Sequence, residues 1–446
     1  MNRLVQTDMA NVVKQGFQSV ASRSPLRPGR DGWETGVLLA ERWLATQERV
    51  DALLEQLTPG LAAQERARAQ HLFYGVVRWF GRLDAGLEGL MARPPRTKVR
   101  ALLLVTGFEL LEQAAEAGAG EAGLVAKIIH HAVEKAKTVA SAKEAGLVNA
   151  VARKLAARLA EPVKTVAEEF SHPEWLVARW TRSFGAEATR ALLEWNQRPA
   201  PVYARWRDAG RAVPDFLSPT RWAGFFEVKA GHWEDVRQLA REGALYLQDP
   251  STRLSLELLA PRAGEMVLDA CAAPGGKSLM IADAMQTGRL VALDEPGPRL
   301  DRLRDNLARV PKGVEVALMP GDLGRAGPKY FEQFNLPPTY DAVLVDVPCS
   351  NTGVMRHRID VKWRLQEGDI ERHADQQAGL LRAAARMVRD GGRLVYSTCS
   401  LDAAENEDVV QRFLQSARGW KLARHVVATP WIDGHDGAGA FLLEKA

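Results

Sequence analysis

Cysteine is nearly absent from this chain: Cys271, Cys349 and Cys399 are the only three in 446 positions. An odd, sparse set excludes a disulfide framework, and the lack of any Cys-x-x-Cys spacing excludes the usual thiol-redox motif. Long apolar runs are missing as well. None approaches the roughly 20 residues a bilayer-spanning helix needs, and Met1 to Arg30 is polar and mixed, unlike a secretory leader. A cytoplasmic protein without membrane association is expected. Charge of one sign is not in large excess: the formal net charge is +4. A sequence pI of about 8.9 tilts the chain toward an anionic partner.

The composition that remains, 46% hydrophobic and 26% charged, is that of a globular protein. At 446 residues the chain exceeds what one core usually serves, so two or three domains are expected. From Gly32 to Leu159 apolar residues recur at helical spacing, as in Val37 to Leu44 and Val99 to Leu111. Pro59-Gly60, Pro94-Pro95 and Gly118-Ala119-Gly120 break the pattern. An all-α bundle over 26–160 follows. Phe73-Tyr74-Gly75-Val76-Val77-Arg78, Leu102 to Leu110, Ala132 to Lys137 and Leu147 to Val151, in that order, resemble the RNA-binding NusB-like fold. Arg93, Arg96, Lys98 and Arg100 form a basic stretch that either contacts phosphates or is simply a solvated loop.

Residues 162–242 read as a small α/β subdomain. It opens on Ser171-His172-Pro173-Glu174-Trp175, with Ser171 as a helix cap and Trp175 and Trp180 facing the core, and continues into alternating segments such as Pro201 to Trp206. His172 is expected to be structural. In 243–446 short apolar strands alternate with helices: Val267 to Asp269, Leu290 to Leu293, Val314 to Leu318, Ala342 to Val345 and Leu394 to Ser397. Continuous apolar strands suit a parallel sheet buried on both faces, so a Rossmann-like domain is expected.

The first of these strands leads into Asp269-Ala270-Cys271-Ala272-Ala273-Pro274-Gly275-Gly276-Lys277-Ser278 and then a helix. Ligands of such folds sit beyond the carboxyl ends of the strands, where glycines let backbone approach them. A phosphate-binding P-loop needs glycine at the position held by Cys271, and Gly-x-Gly-x-x-Gly is absent, so a nucleoside without phosphates fits better. Asp294, or its neighbour Glu295, follows the second strand and can accept bonds from ribose hydroxyls; Asp322 follows the third, placed to receive an adenine amino group.

The fourth strand runs into Asp346-Val347-Pro348-Cys349-Ser350-Asn351-Thr352-Gly353 and the fifth into Ser397-Thr398-Cys399-Ser400. Neighbouring parallel strands deliver their ends to one rim, so two cysteines and a carboxylate are expected to converge there. Cys271 is expected to pack in the cofactor loop. Gly353 to Trp363 carries the cations Arg356, His357, Arg358 and Lys362. Glu405-Asn406-Glu407 opens a helix, whose dipole favours acids at that end.

The succession of cofactor loop, strand-end acids, Asp-Val-Pro-Cys-Ser and Ser-Thr-Cys-Ser resembles the Nol1/Nop2/Sun family of RNA 5-methylcytosine methyltransferases. The helical domain ahead of it resembles the bacterial Sun (Fmu) branch, which methylates small-subunit ribosomal RNA. The resemblance implies that Cys271 to Lys277, Asp294, Asp322 and Asp346 surround S-adenosylmethionine (SAM). It further implies that Cys399 attacks C6 of a cytosine, Cys349 assists release, Asp346 contacts N3, and Arg356 and Lys362 hold RNA. Ile359 stands where the family often has proline. A monomer without a metal is expected, with ribosomal RNA as its partner.

Overall fold

The structure, a computed structural model, describes residues 25–117 and 122–445. Residues 1–24 of the polar N-terminal stretch and the Gly118-Ala119-Gly120 break lie outside the described residues. The chain divides into two compact units, a helical one ending at Arg198 that also takes in Met355–Leu365, and one formed by 199–354 and 366–446.

In the helical unit, helices Gly32–Thr46, Ala63–Arg78, Thr97–Ala117, Ala122–Val139 and Ala142–Leu159 form the main bundle. Asp31 caps the first by accepting from Glu34 N at 2.9 Å. At the last, Ser141 Oγ accepts from Glu144 N at 3.3 Å and donates to Glu144 Oε2 at 2.6 Å, which satisfies one backbone N–H that has no helical partner. Trp33, Trp43, Phe73, Leu102 and Val148 are buried in a single core. Each such side chain stabilises the fold by about 1.5–3 kcal/mol.

The basic stretch is helical from Thr97 onward, and three of its cations are paired within the unit: Arg96 with Glu144 at 2.6 Å, Arg100 with Asp84 at 2.6 Å and Lys98 with Glu41 at 3.8 Å. The stretch thus presents a solvated face of internal ion pairs. Ser171 does not cap the helix Glu174–Phe184, whose N-cap is Pro173; its hydroxyl accepts from Arg82 N at 3.2 Å instead. Trp180 is fully buried and Trp175 partly so. His172 is buried, its ring nitrogens engaged by Phe170 O and Asn196 Nδ2, and burial pushes its pKa well below the ordinary value.

The stretch 162–242 divides between the units. Helices Glu174–Phe184 and Ala186–Gln197 go with the helical one. The second unit begins with strands β1 (Tyr203–Trp206), β2 (Leu217–Pro219), β3 (Phe225–Val228) and β4 (Leu245–Leu247), in the antiparallel order β2-β3-β1-β4. Helix Trp233–Glu242 buries Val236 and Leu239 in the core of this small layer. Arg205 and Arg207 both bond Asp283 on the helix Gly276–Met285, which fixes the small sheet to the larger one.

The larger sheet comprises β5 (Met266–Ala270), β6 (Gly288–Asp294), β7 (Val314–Pro320), β8 (Tyr340–Asp346), β9 (Val388–Thr398), β10 (Trp420–Ala428) and β11 (Ala438–Lys445). Their order is β10-β11-β9-β8-β5-β6-β7, parallel except for β11, which is antiparallel to both its neighbours. The chain leaves β5 toward β6 and β7 and returns on the other side at β8. This reversal is the topological switch point at which doubly wound sheets bind ligands. No described helix is long and apolar enough to cross a membrane.

Candidate active site

The loop after β5 is shaped by its own sequence. Gly275 has φ +104°, a conformation that glycine adopts at no steric cost, and a Cβ on Gly276 would lie 2.8 Å from the Tyr246 ring. Ala272 N donates to Leu293 O at 2.9 Å, Ala273 N to Asp294 Oδ2 at 2.8 Å, and Asn306 Nδ2 to Pro274 O at 2.7 Å. The loop is therefore pinned to β6 and to the helix Pro298–Leu307 before any ligand arrives. Cys271, half-buried at φ +65°, has its thiol pushed up by desolvation.

Three acids stand on this rim. Asp294 is buried, which raises its pKa, and lies 3.6 Å from Arg299, whereas Glu295 is exposed. Asp322 is half-buried; it accepts from Gly324 N at 2.8 Å and pairs with Arg325 at 3.3 Å. The preceding Gly321 N donates to Asp294 O at 2.9 Å, so the two turns are coupled. Asp269, beneath the loop, accepts from Ser278 Oγ at 2.5 Å, yet its other oxygen is buried without a partner. Burial pushes its pKa up to about 7. An unmatched buried acceptor is costly, and a donor from a ligand in this loop would satisfy it. The residues present thus suit a nucleoside without phosphates that carries a donor or cationic group.

On the other side of the switch point the ends of β8 and β9 bring the two thiols together. Their register pairs Asp346 with Ser397, and Cys349 Sγ lies 3.0 Å from Cys399 Sγ. Cys399 is half-exposed and 3.4 Å from Asn351 Oδ1; Cys349 is buried. Contact with Cys399 and burial hold the Cys349 thiol well above its ordinary pKa. Asp346 accepts from Ser397 Oγ at 2.6 Å and pairs with Lys277, whose Nζ is also 3.4 Å from Ser397 Oγ. Lys277 links the cofactor loop to the thiol rim. Gly353 lets the chain pass here: a Cβ would lie 2.7 Å from Cys399 O and 2.8 Å from Gly437 Cα.

Sequence reasoning missed what lies beneath the thiols. Glu405, expected to open a helix, is fully buried and ends the short turn Ala403–Glu405; the helix itself begins at Glu407. It bonds Ser350, Ser400 and Gln377. The available signal was the serine that follows each cysteine, two small hydroxyls at matching strand ends.

Lys362 was expected on RNA but is 2% exposed within the helical unit, donating to Arg78 O at 2.9 Å. Burial drives its pKa well below the ordinary lysine value, and no face of the ammonium is open to a phosphate. Arg356, half-buried, lays its guanidinium 4.2 Å from the centroid of Trp195 in the same unit. Ile359 is in that unit's core, which accounts for an apolar residue at the family's proline position.

The fold and this rim define a class, a NusB-like helical domain followed by a Rossmann-like methyltransferase domain. Residues 38–157 match the NusB family and residues 256–436 match the 16S rRNA methyltransferase RsmB/F family. Ribosomal RNA small subunit methyltransferase B of Vibrio cholerae is 31% identical over 399 residues, 85% of this chain and 87% of the relative. The protein of the same name from Serratia proteamaculans is 32% identical over 385 residues, 82% of this chain and 86% of the relative. The chain belongs to the family of ribosomal RNA small subunit methyltransferase B. The crystal structure of PH0851 shares its fold, with a TM-score of 0.75 at 21% identity over 94% of this chain and 99% of that one. NSun6 from Pyrococcus horikoshii, solved with SFG, matches at a TM-score of 0.51 and 19% identity over 61% of this chain and 98% of that one.

Proposed function

We propose that the chain transfers a methyl group from SAM to C5 of a cytosine in 16S ribosomal RNA, acting in the cytoplasm through a covalent bond between Cys399 and C6. The observation that carries this reading is the pair of thiols 3.0 Å apart at the ends of adjacent parallel strands, beside the Lys277–Asp346 pair. Names of the relatives support the RNA; the loop without a phosphate-binding glycine pattern, the Asp294 carboxylate and the unmatched Asp269 oxygen support the cofactor. Cys271 to Lys277, Asp294 and Asp322 would hold SAM, which when bound supplies the methyl group.

Cytosine C5 is too weak a nucleophile to accept a methyl group unaided. Addition of the Cys399 thiolate to C6 forms an S–C bond and moves the ring's electron pair toward C5 and N3, breaking aromaticity. Asp346 at N3 steadies the altered ring, and Lys277 and Ser397 hold Asp346 in place. After C5 is methylated, elimination breaks the C5–H and S–C6 bonds, and the Cys349 sulfur takes up the C5 proton as its own proton passes to Cys399, which leaves both thiols as they began. Cys349, kept as a thiol, is an S–H donor 3.0 Å from the departing sulfur, to which it can return a proton. The half-exposed Cys399 suits attack, and the buried Cys349 does not.

Bisulfite sequencing of bulk RNA from cells with and without the protein tests the proposal. One cytosine of small-subunit rRNA should lose its modification when the protein is removed. If no 5-methylcytosine disappears, the enzymatic reading fails; a loss confined to other RNA reassigns the substrate.

A further inference from the structure

We propose that Glu405 is the positioning residue that holds the two thiols at reactive distance, acting as a buried carboxylate tie between the loops that carry them. It acts beside the direct bonds Ser350 Oγ–Ser400 Oγ, Thr352 Oγ1–Ser400 Oγ and Gly353 N–Cys399 O. The inference deepens the reading above and rests on it only for the use made of the thiols.

Glu405 is completely buried, and its carboxylate receives four donors. Oε1 accepts from Ser350 N at 2.9 Å and from Gln377 Nε2 at 2.8 Å; Oε2 accepts from Ser400 Oγ at 2.5 Å and from Ser350 Oγ. Ser350 follows Cys349 and Ser400 follows Cys399. The residues that precede the cysteines are tied as well. Gln377 donates to Pro348 O at 3.0 Å, and Thr398 Oγ1 donates to Asn406 Oδ1, beside Glu405, at 2.7 Å. Each cysteine is thus flanked on both sides by residues bonded to Glu405 or to its immediate partners.

A carboxylate suits this place because it only accepts, and all four groups around it can donate. In a low-dielectric interior such a network is rigid when every member is satisfied. The same negative charge adds to the contact and burial that raise Cys349, so the tie also favours a protonated Cys349. Glutamine keeps an acceptor for Ser350 N and Gln377 and offers an amide N–H₂ to two hydroxyls that can rotate to accept. Aspartate is one methylene short of reaching both loops.

Glu405→Asp, Glu405→Gln and Ser400→Ala, made in the full chain, test the tie by disulfide formation between Cys349 and Cys399. Diamide is the oxidant, taking two electrons and two protons from the thiol pair, and peptide mass mapping identifies the product. Circular dichroism checks folding first. Glu405→Asp should slow the cross-link at least roughly tenfold and lower kcat about a hundredfold, with SAM affinity unchanged. Glu405→Gln should restore most of both. Should Glu405→Asp not fold, Ser400→Ala, which deletes one hydroxyl of the tie, should still slow the cross-link. A folded Glu405→Asp or Ser400→Ala that cross-links and turns over like the parent overturns the proposal. Cross-linking requires neither RNA nor methyl transfer, so it reads the tie even if the cytosine chemistry proves wrong. Conversely, a chain that cross-links as expected but never attaches to RNA would refute only that chemistry.

Discussion

Cys349 is buried against Cys399 with its thiol held well above the ordinary range, while Cys399 is half-exposed. If Cys399 attacks, Cys399→Ala abolishes methylation and leaves no protein–RNA bond. Cys349→Ala should still attack yet fail to release, so a retarded band appears on a denaturing gel. The same band from Cys399→Ala would reverse the two roles. That both thiols share one rim was legible from two strand-end motifs. The buried carboxylate that sets their separation was not, because Glu405 reaches both loops only through the fold. A second residue-scale expectation concerns Asp269, whose pKa rises from 3.8 to about 7 on burial. The folded state binds the proton more tightly than the unfolded one, so the stability this gives is complete below about pH 4 and is lost as pH rises through 7. At about 1.4 kcal/mol per unit the window spans on the order of 4 kcal/mol. Asp269→Asn should therefore flatten the fall in Tm between pH 4 and 7 in the cofactor-free protein. An unchanged slope would mean that Asp269 is already ionised in the fold.

At the scale of elements, the segment Met355–Leu365 departs furthest from what its sequence suggests. Its cations read as a phosphate-binding run, but Trp363 Nε1 donates to Val77 O at 2.7 Å and packs edge-on against Phe80, and Lys362 is wholly enclosed. A run of charge does not reveal which of its members turns inward. Lys362→Met should stabilise the helical unit at pH 7 by roughly 1–3 kcal/mol, because a desolvated ammonium is removed. Arg78 O keeps Gln197 Nε2 as a donor at 3.3 Å, so no carbonyl is stranded. The gain should shrink as pH rises, since the parent then sheds the proton that burial disfavours. RNA affinity should keep its salt dependence; a slope reduced by about one charge would return Lys362 to the phosphates. Strands β5, β6 and β8 and the end of β9 were legible because they are buried on both faces, and the edge strand β7 because it is a nearly continuous apolar run. Strands β10 and β11 were not, since most of β10 is exposed at the sheet edge and β11 is interrupted by Gly439.

For the whole molecule, the order of a helical domain followed by a doubly wound one could be read from periodicity, which is a local property. Which residues share a core is not local, and here the boundary near 198 and the assignment of 355–365 both depend on contacts remote in sequence. The consequence is that the methyltransferase unit is not a self-sufficient length of chain. Between the thiol loop after β8 and the helix Asp369–Ala385 it sends out a segment whose apolar groups, Ile359 and Trp363, pack in the core built by residues before 198. A fragment comprising 199–446 would leave both without a core, forfeiting about 1.5–3 kcal/mol for each. Trypsin should then cut first at Arg356 or Lys362, which are half-buried and buried respectively in the intact chain, and the fragment should bind a hydrophobic dye that the intact chain does not. Because the segment begins at Met355, close after Cys349 in the chain, loosening it should also slow methylation even where SAM still binds. Equal protection of 355–365 in fragment and parent would show that the segment folds with its sequence neighbours instead, and the helical unit would then be a separable attachment rather than part of what completes the enzyme.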